Sequence, residues 1–213
     1  MRLLAEGLSA KRGEDLIFRD VSFGIDAGEA LIVKGANGSG KSTLLRVLAG
    51  LLPAVSGTAR LLAAAHPVER LGEACHYLGH RNAMKRELTV EENLVFWKAF
   101  YGDLHGGAGI GVDAAAAAVG LGGILHLPFG YLSAGQQRRM AMARLLVAWR
   151  PVWILDEPTA ALDVAAEAMF AGLVTNHLAQ GGIAIAATHQ PLGLEGAREL
   201  WMTGFAGAEQ GVW

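Results

Sequence analysis

The sequence predicts an α/β fold: a mixed, mainly parallel core sheet with an antiparallel β region at the N-terminus and an inserted helical subdomain. Three observations carry this expectation. An apolar strand at 29–34 (EALIVK) runs into a glycine loop and then a helical stretch, KSTLLRVLA. A wholly apolar run, Val152-Trp-Ile-Leu, ends on the acids Asp156 and Glu157, and a second apolar run follows at 182–187 after a helical segment. Strands that alternate with helices build a parallel sheet under helical cover. Between about 83 and 147 the apolar spacing is mainly helical, so a separate lobe interrupts the sheet.

The 213 residues suit one domain, with 1–82 and 148–213 forming the core and β region and about 83–147 the helical subdomain. A chain of this length buries roughly 70% of the surface it exposes when unfolded, so its core needs no disulfide. The single cysteine, Cys75, could not supply an internal one, and it suits a reducing compartment. A hydrophobic fraction of 52% against 18% charged residues excludes disorder, and a net charge of -2 gives no reason to expect a nucleic-acid partner. Charges at Glu6 and Lys11 come too early for a signal peptide. The longest stretch free of Lys, Arg, Asp and Glu, 114–137, is broken by Gly120, Gly122, Gly123, Pro128 and Gly130, so no membrane span is expected.

Taken in order, 16–23 and 29–34 read as strands, and the helix from Lys41 stops near Ala49, before Gly50 and Pro53. Strands are expected again at 57–63 and 74–78. Thr89-Val-Glu-Glu92 fits a capping box, with the Thr89 hydroxyl on an early amide and Glu92 reaching back. Asp113 followed by five alanines opens a second helix. A third runs from about Ala134 to Trp149, with Met140, Ala143, Leu146 and Val147 at helical spacing. A buried strand at 152–156, a helix at 164–178 and a strand at 182–187 complete the pattern.

The loop between the second strand and the first helix reads Gly35-Ala36-Asn37-Gly38-Ser39-Gly40-Lys41-Ser42-Thr43, which matches GxxxxGK[ST] in full. The glycines let backbone amides turn inward onto a phosphate where a side chain would clash. The helix behind the loop aims a partial positive charge at the same anion, and Lys41 adds a full one. The Ser42 hydroxyl can ligand Mg²⁺, and Asp156, ending a buried strand, can hold the same ion through water. Glu157 can polarise the attacking water as general base. These residues predict a P-loop nucleotide hydrolase that uses Mg²⁺, and no more than that.

Leu132-Ser133-Ala134-Gly135-Gln136 resembles the LSGGQ signature of ATP-binding cassette (ABC) ATPases, with Ala134 in place of a glycine. The resemblance covers nearly the whole chain. It implies that Ser133, Gly135 and Gln136 face the ATP of a second copy, in a head-to-tail dimer with two nucleotides at its interface. Ala161-Leu162-Asp163 looks like the family's D-loop, and His189, after Thr188, like its switch histidine against the γ-phosphate. Two positions depart from the family pattern. Arg12 stands near where an aromatic usually stacks on adenine; its guanidinium could stack on the base or lie solvated. His80 stands where the family keeps a glutamine that senses Mg²⁺ and touches the membrane subunit. A histidine can reach a metal-bound water or the γ-phosphate, but it titrates near neutral pH.

The strings YLGHRNAMKRELTVEENL, LSAGQQRRMAMARL, WILDEPTAALDV and THQPL are similar to the ATP-binding subunits of the bacterial cytochrome c maturation system, the haem exporter protein A family. That resemblance implies a peripheral subunit at the cytoplasmic face of the inner membrane, bound to integral membrane subunits. In that family ATP hydrolysis is linked to haem export or to release of a haem-loaded chaperone. The net charge gives no nucleic-acid partner, and no direct haem contact is expected for this chain. Cys75-His76 lacks the first cysteine of CxxCH, since position 72 is Gly, and reads as a small buried thiol. Arg138 and Arg139 could help field a partner's phosphates or form a solvated helix face. Phe96, Trp97, Phe100 and Tyr101 share one helix face; the core of the helical subdomain accounts for them, with a groove for a membrane subunit's helix, rimmed by 81–87, as the alternative.

Overall fold

The computed structural model describes residues 1–62, 68–104, 107–160, 162–189, 192–204 and 208–210. Among them lie two sheets. The smaller is antiparallel, with β1 (Arg2–Arg12) between β2 (Asp15–Asp26) and β4 (Ser56–Leu62). The larger has the order β5-β6-β7-β3-β8-β9, from β3 (Ala30–Lys34), β5 (Cys75–Leu78), β6 (Val152–Asp156), β7 (Ile183–Ala187), β8 (Arg198–Met202) and β9 (Ala208–Gln210). Its strands pair in parallel except for β8 with β9. The helices are α1 (Lys41–Leu48), α2 (Val90–Tyr101), α3 (Val112–Ala118), α4 (Ala134–Leu146) and α5 (Val164–Ala179).

Strand periodicity divides the core into two layers. Val152, Ile154, Ile183 and Ile185 face one cluster, with α1 and the small sheet. Trp153, Leu155, Ala184 and Ala186 face the other, with α2, α4 and α5. A parallel sheet covered on both sides needs apolar residues at every position, which is why β6 and β7 are buried throughout. Cys75 is buried and free, as expected, and burial pushes its thiol pKa up. No described helix is long and apolar enough to cross a membrane.

The expected capping box is present: Glu92 N–H donates to Thr89 Oγ1 at 3.1 Å, and Thr89 N–H to Glu92 Oε2 at 2.8 Å. Buried Asn93 fastens the preceding loop to α2, accepting from Lys85 N and donating to the carbonyls of Lys85, Leu88 and Thr89.

Two expectations are corrected. Helix α4 ends at Leu146 rather than Trp149. Lys98 takes the Val147 carbonyl and Asp103 takes the Trp149 amide, while Pro151 disfavours helix at Arg150. Phe96 and Phe100 are not core: they are 51% and 66% exposed. Only the inner pair is held, with the Arg144 guanidinium 4.8 Å from the Trp97 ring and Arg150 5.2 Å from Tyr101. Strands β8 and β9 extend the sheet beyond the pattern read from the sequence. Ala63, the expected end of β4, lies outside the described residues.

Candidate active site

Strands β3, β7 and β6 are neighbours running the same way, so their C-terminal ends open at one edge. There β3 leads into the glycine loop, β7 into Thr188 and His189, and β6 into Glu157. Ligands gather at this edge of open α/β sheets.

The loop's conformation needs its glycines. Gly35 has φ 139°, and a Cβ there would meet the Met202 carbonyl and Ser39 Oγ. Gly40 has φ 97°, and its Cβ would lie 2.9 Å from Ile17 Cγ2. With Gly40 at its N-cap, α1 starts without a side-chain cap, leaving its first amides for another acceptor. Ser39 Oγ is buried with no hydrogen-bond partner among the described residues. Buried Lys41 donates from Nζ to the carbonyls of Gly35 at 2.7 Å and Ala36 at 3.0 Å. Asn37, Gly38 and Thr43 face a cavity of about 360 Å³ bounded also by Arg12, Ile17, Glu157 and His189.

The Ser42 hydroxyl donates to Asp156 Oδ1 at 2.8 Å, which brings two expected Mg²⁺ ligands together. Mg²⁺ takes one or two protein oxygens and fills its octahedron with water and phosphate, so this hard-oxygen pair fits it. The other carboxylate oxygen, Asp156 Oδ2, accepts from the Tyr77 hydroxyl at 3.0 Å. Burial raises the Tyr77 pKa, against a lowering by its hydrogen bond to Arg46. His80, the third expected ligand, is exposed and makes no hydrogen bond or ion pair among the described residues.

Glu157 has φ 48°, one of few non-glycine residues in the left-handed region. Its N–H donates to the Ala187 carbonyl at 2.8 Å, and its Oε1 lies 3.6 Å from Nε2 of the exposed His189.

The signature residues stand apart from this cavity. Ser133 caps α4 in a second capping box: Gln136 N–H donates to Ser133 Oγ at 3.3 Å, and Ser133 N–H to Gln136 Oε1 at 2.9 Å. Gly135 has open space where a side chain would be. Asp163 caps α5, accepting from Ala166 N–H at 2.8 Å. Ala161, quoted with Asp163, and Gln190 and Pro191, quoted with His189, lie outside the described residues.

Sequence reasoning missed two residues here and misplaced a third. Tyr77 reaches Asp156 only through the pairing of β5 with β6, and Ile17 walls the cavity only through the β1–β2 hairpin. Arg138 is not on a solvated face; it is 6% exposed and bonded to the carbonyls of Glu157 and Pro158. A buried arginine cannot be told from a surface one by helical spacing alone. Arg139 is half-buried and donates to the Val119 carbonyl at 3.2 Å.

The sequence pattern of the ABC transporter family matches residues 18–160. The cytochrome c biogenesis ATP-binding export protein CcmA of Rhizobium meliloti (strain 1021) is 69% identical over 96% of this chain and 99% of its own. That of Agrobacterium fabrum is 66% identical over 98% and 99%. Among solved structures, the ATP-binding cassette MJ0796, a dimer in a post-hydrolysis state bound to ADP and Pi, superimposes with a TM-score of 0.77. It is 24% identical and covers 95% of this chain and 94% of that one, so it speaks to the fold.

Proposed function

The chain belongs to the ABC transporter family, and from that premise we propose that it is the ATP-hydrolysing subunit of a membrane complex for cytochrome c biogenesis. The observation that carries the hydrolytic half is the convergence of the glycine loop, the Ser42–Asp156 pair and Glu157 at one sheet edge. The relatives' names and their near-complete overlap carry the export half.

In this reading the amides of 35–43 and the Lys41 ammonium bind the phosphates, with Lys41 turning from its own loop's carbonyls to the γ-phosphate. Ser42 and Asp156 would hold Mg²⁺, which when bound neutralises charge on the phosphate oxygens. Glu157 accepts a proton from water as its oxygen bonds to the γ-phosphorus; the bond to the β-phosphate oxygen breaks, and ADP and inorganic phosphate leave. His189 orients the γ-phosphate. Arg12 would lay its guanidinium against the adenine, and His80 would reach a metal-bound water or the γ-phosphate.

The active form is a head-to-tail pair. Ser133, Gly135 and Gln136 of one copy meet the nucleotide of the other, and Asp163 lies at the same interface. Ser133 keeps its oxygen on the Gln136 amide while its O–H hydrogen is available to a phosphate. The exposed Phe96 and Phe100 fit a docking surface for a membrane subunit's helix, which would hold the chain at the cytoplasmic face. No nucleic-acid partner and no haem contact are assigned to this chain.

A pull-down of tagged Glu157→Gln protein from detergent-solubilised membranes with ATP tests the assignment. Recovery of haem-handling membrane proteins is expected. Recovery of an unrelated permease instead would keep the ATPase reading and overturn the cytochrome c one.

A further inference from the structure

Arg138 joins three segments of the site through one guanidinium. Its Nε donates to the Pro158 carbonyl at 2.9 Å and its Nη2 to the Glu157 carbonyl at 2.8 Å. Its Nη1 donates to the Gly79 carbonyl at 2.7 Å and reaches Asn82 Oδ1 at 3.4 Å. Gly79 and Asn82 flank His80, and Arg138 itself sits on α4, behind Ser133. A planar fork with five donors can satisfy this set; lysine and glutamine cannot. Burial pulls the guanidinium's pKa down, and Arg144 adds to that while Asp156 opposes it. A carbonyl cage is what retains a charge there.

The Glu157 peptide is clamped from both sides. Its N–H is fixed by the Ala187 carbonyl and its C=O by Arg138, at a left-handed φ that an L residue holds only when its surroundings impose it. We propose that Arg138 is a positioning residue for Glu157: it fixes the backbone turn that presents the Glu157 carboxylate to the nucleotide cavity. Through the same guanidinium, that turn is tied to the signature helix and to the loop carrying His80. The inference rests on the reading of Glu157 as general base.

The test is steady-state ATP hydrolysis by the full chain as wild type, Arg138→Gln, Arg138→Lys, Glu157→Gln and the Arg138→Gln/Glu157→Gln double variant. Arg138→Gln is expected to lower kcat about tenfold or more with KM for ATP within about twofold, and Arg138→Lys to recover part of the loss. In the Glu157→Gln background the same change should alter the residual rate by less than about twofold, because the positioned group is already disabled. Equal losses in both backgrounds, or a KM that rises with the fall in kcat, would overturn the proposal. If circular dichroism shows Arg138→Gln unfolded, Arg138→Lys carries the comparison in both backgrounds. Wild-type turnover by Glu157→Gln would instead reject Glu157 as base, whatever Arg138 does.

Discussion

Helix α1 starts at Gly40 with no side-chain cap, whereas α4 starts at Ser133 inside a closed capping box. Helices α2 and α5 also have side-chain caps, from Thr89 and Asp163. An uncapped N-terminus over a glycine loop is a place prepared for an anion, since the phosphate oxygens supply the missing acceptors. The α4 start is complete within its own chain. Its remaining capacity, the Ser133 hydroxyl hydrogen and the open ground at Gly135, is not part of the lining of the cavity that α1 serves. In the proposed function, the difference separates a site that holds its ligand from a surface that meets a ligand held by a second copy.

Substitutions at these starts sharpen that contrast. Lys41→Ala should abolish hydrolysis and weaken ATP binding together, because it removes the full charge behind the α1 amides; robust turnover would break the assignment of α1 as the cradle. Ser133→Arg should lower hydrolysis about a hundredfold while ATP binding to the isolated chain, followed by fluorescence or calorimetry, stays within about twofold. Loss of both would make the α4 start part of the fold rather than of a second chain's site.

The pH dependence of stability probes two buried histidines of the core. Burial lowers the pKa of His76 to about 3 and of His177 to about 4. Both bind protons more readily when unfolded, so stability should be full above about pH 6.5 and fall as pH drops toward 4, by a few kcal/mol. Urea unfolding at pH 7.5 and 5.0 reads this, and His177→Phe should flatten the slope. The smallest effect belongs to Thr89→Ala, which should cost about 1 kcal/mol of stability and leave hydrolysis unchanged, as befits a cap with no ligand to meet.

Much of this was legible in the sequence because the signals are local. The glycine loop, the apolar run ending in two acids and the Thr89 capping box each lie within nine or fewer consecutive residues, and each forms as read. What was not legible depends on pairing between distant segments. Tyr77 meets Asp156 because β5 lies beside β6, and Arg138 meets Glu157 because α4 crosses the end of that strand. The aromatic face of α2 misled for the same reason. Helical spacing places Phe96, Trp97, Phe100 and Tyr101 together, but contacts from distant segments, among them Arg144 on Trp97 and Arg150 and His76 on Tyr101, go with the rings that turn inward.

The most direct test of the central claim, that the cradle of one copy works with the signature of another, is a mixing experiment. Lys41→Ala chains keep the α4 surface, and Ser133→Arg chains keep the cradle; each alone should be inactive. When they are mixed in equal amounts half the pairs are hybrids with one intact composite site, so hydrolysis should return to as much as about a quarter of wild type. A mixture as inactive as its two components would contradict the account.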